Sequence, residues 1–278
     1  MTAVAVPAGI VPPRPVWRSL LWIVLPTLLW TLLIYWQPAI PESGVPTTAA
    51  RLMAYALIAV GLWLGLESTD LTPSQRCTTW LAVIMPYTLW FAVAWSAAIN
   101  GVFRTSGSPL SVPLLPLAIL LPVTIGAPLL LLSKRVGEVL DAMPVTWLVA
   151  VQLYRVFGSV FLAAGLRGVL PGAFALPAGI GDVLTGLFAV PVAVALATGT
   201  AQGRRAAIIW NIFGLADFAV AITLGLVTSP GRFQLIVPDV PSIGAGTYPN
   251  VLTPAFVVPS SILLHALSLR QLIRRRAS

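Results

Sequence analysis

The stretch from Gln152 to Asp182, QLYRVFGSVFLAAGLRGVLPGAFALPAGIGD, decides how the whole chain is read. It is apolar enough to enter a bilayer, yet Gln152, Arg155 and Asp182 interrupt it. An ionised side chain at the centre of a membrane helix costs about 2.5–3.5 kcal/mol on insertion scales, so such residues face a bundle interior, where they pair or line a pathway. The polar positions therefore mark the inside of a helical bundle.

Outward from this stretch the composition says the same. Hydrophobic residues make up 58% of the 278 and charged residues only 9%, where a soluble domain carries about 25% charged residues. Apolar runs of about 20 residues, the length of helix that crosses a ~30 Å hydrocarbon core, recur from end to end. The chain is thus expected to be an all-α polytopic membrane helix bundle, with spans at 17–36, 49–66, 78–98, 110–132, 145–166, 178–198, 206–227 and 252–272. Residues 1–16, with four prolines, are expected to form a disordered cytoplasmic tail, and 17–278 a single transmembrane domain. The 17–36 run is too long for a signal-peptide core and lacks a small-residue cleavage site, which points to a retained anchor. Pro113, Pro116, Pro122 and Pro128 predict a bent or locally unwound fourth span. The charged segment KRVGEVLDAM at 134–143 predicts a solvated connector.

Eight spans put both termini on one side of the membrane. Under that arrangement eleven Lys and Arg fall on the terminal side and four, Arg51, Arg104, Arg167 and Arg232, on the other, with Arg155 inside the bilayer. The positive-inside rule then predicts an N-in, C-in topology. Because the basic residues sit at span ends, the net charge of +8 argues for membrane orientation and against a nucleic-acid surface. The single Cys77 permits no intrachain disulfide and no multi-cysteine metal site. HExxH and CxxC motifs are absent, GAGT at 244–247 lacks the lysine of a phosphate loop, and no metal or cofactor is expected. The expected partner is the lipid bilayer itself, with a small-molecule or lipid ligand.

The intramembrane polar residues are the candidate site: Gln152, Arg155, Asp182, Asn211, Asp217 and His265. With spans five and seven starting on the same side, Arg155 and Asp217 come to the same depth, ~15–16 Å at helical rise. A guanidinium and a carboxylate at one depth should pair, since either alone is an uncompensated buried charge costing roughly 3–5 kcal/mol. Gln152 lies one turn before Arg155 and shares its face. Asp182, placed about four residues or ~6 Å into a span starting at Ala178, is expected to be shallow and hydrated, with Gly179, Gly181 and Gly186 allowing close helix approach. Asn211 reads as one shallow turn into span seven. His265 forms a polar stripe with Ser261 and Ser268 on the last span. Together they predict a polar ladder with Asp182 outermost and Asn211 near the cytosol, Asp182 and His265 being the proton-exchanging members. The simpler expectation is that each polar residue only fastens helices together, worth around 0.6–2 kcal/mol. The loops 167–177 and 229–250, rich in Gly, Pro and apolar residues, are expected to fold over the outer end of the bundle.

The segments at 152–182, WNIFGLADF at 210–218 and TYPNVLTPAFVVPSSILLHALSLRQL at 247–272 resemble an uncharacterised family of small bacterial multi-pass inner-membrane proteins. The likeness covers roughly the C-terminal half and implies placement in a bacterial inner membrane; it brings no activity with it. Three functions fit the residues: binding or transport of a small molecule through a polar site in the last four spans, an intramembrane enzyme for an apolar or lipid-linked substrate with Asp217 or His265 as acid or base, and a non-catalytic membrane partner.

Overall fold

The computed structural model describes residues 21, 23–25, 45–104 and 113–274. The expected tail at 1–16 and nearly all of the expected span at 17–36 lie outside the described residues. Within them the chain is helical, with no strand. The long elements are α1 (Val45–Glu67), α2 (Pro73–Ile99), α3 (Leu114–Leu132), the short α4 (Lys134–Ala142), α5 (Trp147–Leu166), α6 (Gly172–Ala197), α7 (Ala201–Thr228) and α8 (Thr253–Arg274). Six of these, α2, α3 and α5 to α8, are long and apolar enough to cross a membrane.

Short local signals start and stop these helices. Thr72 begins α2 with a capping box closed by Gln75, and Pro73 occupies the first turn where its missing N–H has no intrahelical acceptor to lose. Ser133 ends α3, and its hydroxyl accepts from Val136 N to open α4. Thr200 does the same for α7 through Gly203 N, at 3.1 Å. With such tight turns, successive spans alternate in direction. One end of the bundle, the basic end, gathers α4, the starts of α5 and α7 and the end of α8. The other, the loop end, gathers residues 100–104 and the 229–252 connection.

At the basic end, arginines close helices. Arg76 donates to Thr69 O at 2.8 Å, just past the end of α1. Arg270 donates to Leu130 O (3.2 Å) and Ser133 O (3.1 Å), over the last carbonyls of α3. Arg204 donates to Leu272 O at 2.5 Å, near the end of α8. Each puts a cation at the carboxyl end of a helix, where the last carbonyls lack intrahelical donors and the dipole is negative.

Several expectations fail at element edges, each for a physical reason. The fourth span, expected to be bent or unwound, is one α-helix from Leu114 to Leu132. Pro113 lies before the helix and Pro116 in its first turn, where no bond is forfeited, so only Pro122 and Pro128 cost one each. The connector at 134–143 is instead an amphipathic helix that buries Val136, Val139 and Leu140 and keeps Lys134, Arg135 and Glu138 outside. The expected outer loop 167–177 is half helix, because Pro171 caps α6 and the helix runs through Pro177. Arg51, counted above on the outer side, is a buried residue of α1 that donates to Thr253 Oγ1. The 229–250 connection does fold over the bundle, burying Ser242, Ala245 and Gly246.

The fifth span is irregular. It starts as an α-helix at Trp147–Ala150, tightens to 3-10 geometry over Val151–Gly158 and returns to α over Ser159–Leu166. Runs of 3-10 helix longer than three or four residues are uncommon. Here α5 lies almost against α6: a Cβ on Gly179 would sit 2.5 Å from Leu162 N, and one on Gly186 2.6 Å from Val156 N. These are backbone atoms that cannot step aside, so the absence of side chains sets the helix spacing. Gly179→Ala should therefore destabilise the protein by about 1–3 kcal/mol, less whatever alanine adds in helix propensity. Gly225→Ala on α7, whose nearest neighbour would be Phe174 at 3.4 Å, should be close to neutral. Thermal unfolding in detergent measures both, and equal midpoints for the two variants would refute the close α5–α6 approach.

Candidate functional site

Arg155 is the fixed point of the polar interior. It lies in the 3-10 stretch of α5 with its side chain 1% exposed, and every N–H direction of its guanidinium is used. Nε and Nη2 both reach Asp182 Oδ1 at 2.8 Å, Nη2 also reaches Asp217 Oδ2 at 2.5 Å, and Nη1 donates to Gly214 O at 3.3 Å and His265 Nε2 at 3.1 Å. Phe218 lies beneath the guanidinium plane, 3.8 Å from Cζ to the ring centroid, a cation–π geometry. One arginine thus ties α5 to α6, α7 and α8.

Three glycines make the room. A Cβ on Gly181 would meet Asp217 Oδ1 at 1.6 Å, on Gly158 it would meet Asp182 at 2.3 Å, and on Gly214 it would meet His265 at 2.5 Å. Any side chain at these positions would displace a member of the cluster.

The hydrogen bonds assign the state of His265. A guanidinium only donates, so His265 Nε2 accepts and the ring is neutral, with its proton on Nδ1. That proton is given to Asn211 Oδ1 at 2.9 Å. Asn211 in turn points its amide nitrogen at Ala207 O (2.8 Å) and Ser268 Oγ (3.1 Å), which fixes which end of the amide is oxygen. A directed chain therefore runs from Arg155 through His265 and Asn211 to Ser268, towards the basic end. Gln152 is completely buried, and its side chain makes no hydrogen bond to that of Arg155. Its Nε2 donates to Ser261 O at 3.0 Å, and Ser261 Oγ pairs with Tyr154 OH at 2.6 Å.

Five of the six expected residues are buried in the α5–α8 half and Asp182 is partly buried there, with two corrections to the ladder. Asp182 is neither shallow nor separate from the ion pair. Helix α6 begins at Gly172, six residues before the expected start, so Asp182 lies roughly ten residues or ~15 Å in, level with Arg155 and Asp217. Asn211 is likewise deeper, roughly ten residues into a helix that begins at Ala201. His265, expected to exchange protons, has both ring nitrogens engaged. Gly158, Gly214, Tyr154 and Arg51 were missed by sequence reasoning. The two glycines leave no local signal, and Arg51 reads as an interfacial cation unless α1 is known to begin at Val45.

Two cavities meet at Asp182. The larger, about 130 Å³, opens at the loop end and reaches down to Asp182 and Asp217. Its wall on α7 is the stripe Asp217, Ala221, Gly225 and Ser229, one face at four-residue spacing, and on α6 the stripe Phe174, Ala178 and Asp182. Ser242 and Ala245 of the covering loop, and Arg104 and Arg232, also line it. The oxygens left over, Asp182 Oδ2 and Asp217 Oδ1, accept no hydrogen bond among the described residues. The smaller cavity, about 20 Å³, also reaches Asp182 and is lined by Arg51, Tyr154, Arg155 and Ser261 among others. It has room for one water and polar groups to hold it.

The family profile described as "Domain of unknown function (DUF8737)" matches residues 112–273, from α3 to the end of α8, and so takes in every member of this cluster except Arg51. The chain belongs to this family. No curated protein and no solved structure matches it. The match agrees with the resemblance drawn above to an uncharacterised family. It carries no statement about membrane, organism or activity.

Removing Arg155 alone would leave two carboxylates and one histidine without their shared donor. Arg155→Gln should cost about 3–5 kcal/mol of stability, and adding Asp182→Asn and Asp217→Asn should recover a substantial part of it, because no unpaired charge then remains. Losses in the triple variant equal to the sum of the separate ones, measured by thermal or denaturant unfolding in detergent, would mean that the three side chains do not act as a unit.

Proposed function

We propose that the protein binds a small, mainly apolar molecule in the α5–α8 cavity and carries it across the membrane, with a cationic or hydrogen-bond-donating group of that molecule docking on Asp182 and Asp217. The observation that carries this reading is the composition of the cavity by depth. Its walls are mainly apolar and aromatic, with Arg104 and Arg232 also in the lining, while its floor presents two carboxylates that share one guanidinium. Pockets that recognise small molecules have this form, an apolar lining with a few convergent polar groups. A cavity of about 130 Å³ holds on the order of ten waters, enough for a single-ring amine.

The transport part rests on asymmetry. The loop end is hollow down to the carboxylates, whereas the basic end is filled by the His265–Asn211–Ser268 chain and by Leu264 and Leu272. That is the form of one half of an alternating-access cycle. We further read the fold as eight spans, 17–36 supplying the first and α1 the second, with 17–278 a single domain, both termini cytoplasmic and the chain in a bacterial inner membrane. The distribution of charge supports the orientation: Arg76, Lys134, Arg135, Arg204, Arg205, Arg270 and Arg274 lie at the basic end, and Arg104, Arg167 and Arg232 at the loop end.

Two measurements test this. The purified protein should be stabilised against heat by phenethylamine and not by benzoate of the same ring size, and Asp217→Asn should abolish the shift while the variant still unfolds cooperatively. Equal shifts from amine and carboxylate, or an undiminished shift in the variant, would remove the proposed docking. For orientation, cysteine at Val237, 85% exposed on the loop connection, should react with an impermeant maleimide on intact cells. Native Cys77, exposed near the start of α2, should react only after the membrane is broken. Ser242 is unsuitable for such labelling, since it is buried against Thr228. The opposite labelling pattern would invert the topology.

A further inference from the structure

The basic end holds a second arrangement that neither the cavity nor the ion-pair cluster uses. Gly137 on α4 lies under two guanidinium groups: a Cβ there would be 2.8 Å from Arg270 Nη2 and 3.3 Å from Arg274 Nη1. Both arginines come from the last turns of α8, and Lys134 stands one turn before Gly137 on the same face of α4. Arg270 is committed to the carbonyls of Leu130 and Ser133 and interacts electrostatically with Asp141. Lys134 and Arg274, both exposed, make no ion pair among the described residues. Like charges brought this close repel, so the arrangement is complementary to an anion.

The surroundings say which anion. Leu129 and Leu132 on α3 and Ile273 on α8 are 68%, 81% and 62% exposed at the same end of the bundle. A bare apolar surface directly beside a cluster of cations, where an amphipathic helix meets the ends of two spans, matches a molecule with an anionic head and hydrocarbon chains. We propose that the notch formed by Lys134, Gly137, Arg270 and Arg274 binds the headgroup of an anionic phospholipid, with its chains along Leu129, Leu132 and Ile273. The phosphate lies between Lys134 and Arg274 at the exposed edge of the notch, and Gly137 gives the room for the two guanidinium groups to lie against α4. The site is separate from the cavity at the opposite end and is independent of what that cavity carries.

The test uses the full chain in zwitterionic detergent, with native mass spectrometry and thermal unfolding as readouts. Dioleoylphosphatidylglycerol should bind and raise the unfolding midpoint, and dioleoylphosphatidylcholine should do neither to a comparable degree. Inorganic phosphate at the same concentration should give no shift, since the chains contribute to the affinity. The double variant Lys134→Gln, Arg274→Gln alters only exposed side chains and leaves the helix-closing Arg270 in place. It should bind phosphatidylglycerol roughly 25-fold more weakly, taking about fivefold for each interfacial cation lost. Arg167→Gln at the loop end should retain full binding. Equal binding of the two lipids by the native chain, or unchanged phosphatidylglycerol binding in the double variant, would overturn the proposal. A phosphate shift as large as that of the lipid would overturn it in favour of a soluble anion site.

Discussion

The interior depends on a single guanidinium placed between two carboxylates at one depth. Arg155 cannot lose its charge, so its burial is tolerable only while Asp182 and Asp217 face it, and their burial is tolerable only while it stays. The requirement reaches further than the charges. The three groups come from three helices, and they meet only because Gly158, Gly181 and Gly214 have no side chains in the space they occupy. His265 belongs to the same constraint: by accepting from Arg155 and donating to Asn211 it extends the charge into a string of neutral hydrogen bonds, so that no member of the string is left without a partner.

Around this centre the packing divides by chemistry. Helices α5, α6 and α7 approach each other through glycines and share the ion pair, while α2 and α3 turn long apolar faces outward, with Leu89, Leu129 and Leu132 among their most exposed residues. Lipid can cover such faces without the entropic gain that drives burial in water, so the specificity of the bundle comes from its small residues and its polar bonds. The arginines at the basic end close the carbonyl ends of three helices.

Much of this was legible in the amino-acid order. The helical class follows from apolar run length, and the Arg155–Asp217 contact follows from matching depths on two spans that begin on one side. Depth arithmetic failed at Asp182 because it rests on knowing where a helix starts, and Pro177 reads as a loop residue although a membrane helix tolerates it at the cost of one bond. The fourth span failed in the same direction, for its prolines weigh differently inside the first turn and beyond it. The amphipathic α4 was hidden by its charge: only the spacing of Val136, Val139 and Leu140 tells an interfacial helix from a connector. The partner of Gln152 was not legible at all, since an i, i+3 relation to Arg155 fixes a face and says nothing of which neighbouring helix supplies the acceptor.

The 3-10 stretch of α5 links the length of that helix to the ion pair it carries. A 3-10 helix rises about 2.0 Å per residue against 1.5 Å for the α form, so the eight residues of Val151–Gly158 are about 4 Å longer than the same segment wound as α-helix. Rewinding would also rotate the chain by about 20° per residue, carrying Arg155 away from Asp182 and Asp217. The length of α5 and the integrity of the ion pair are therefore one variable. Shortening α5 would leave the carboxylates at the cavity floor as the groups that must find another cation.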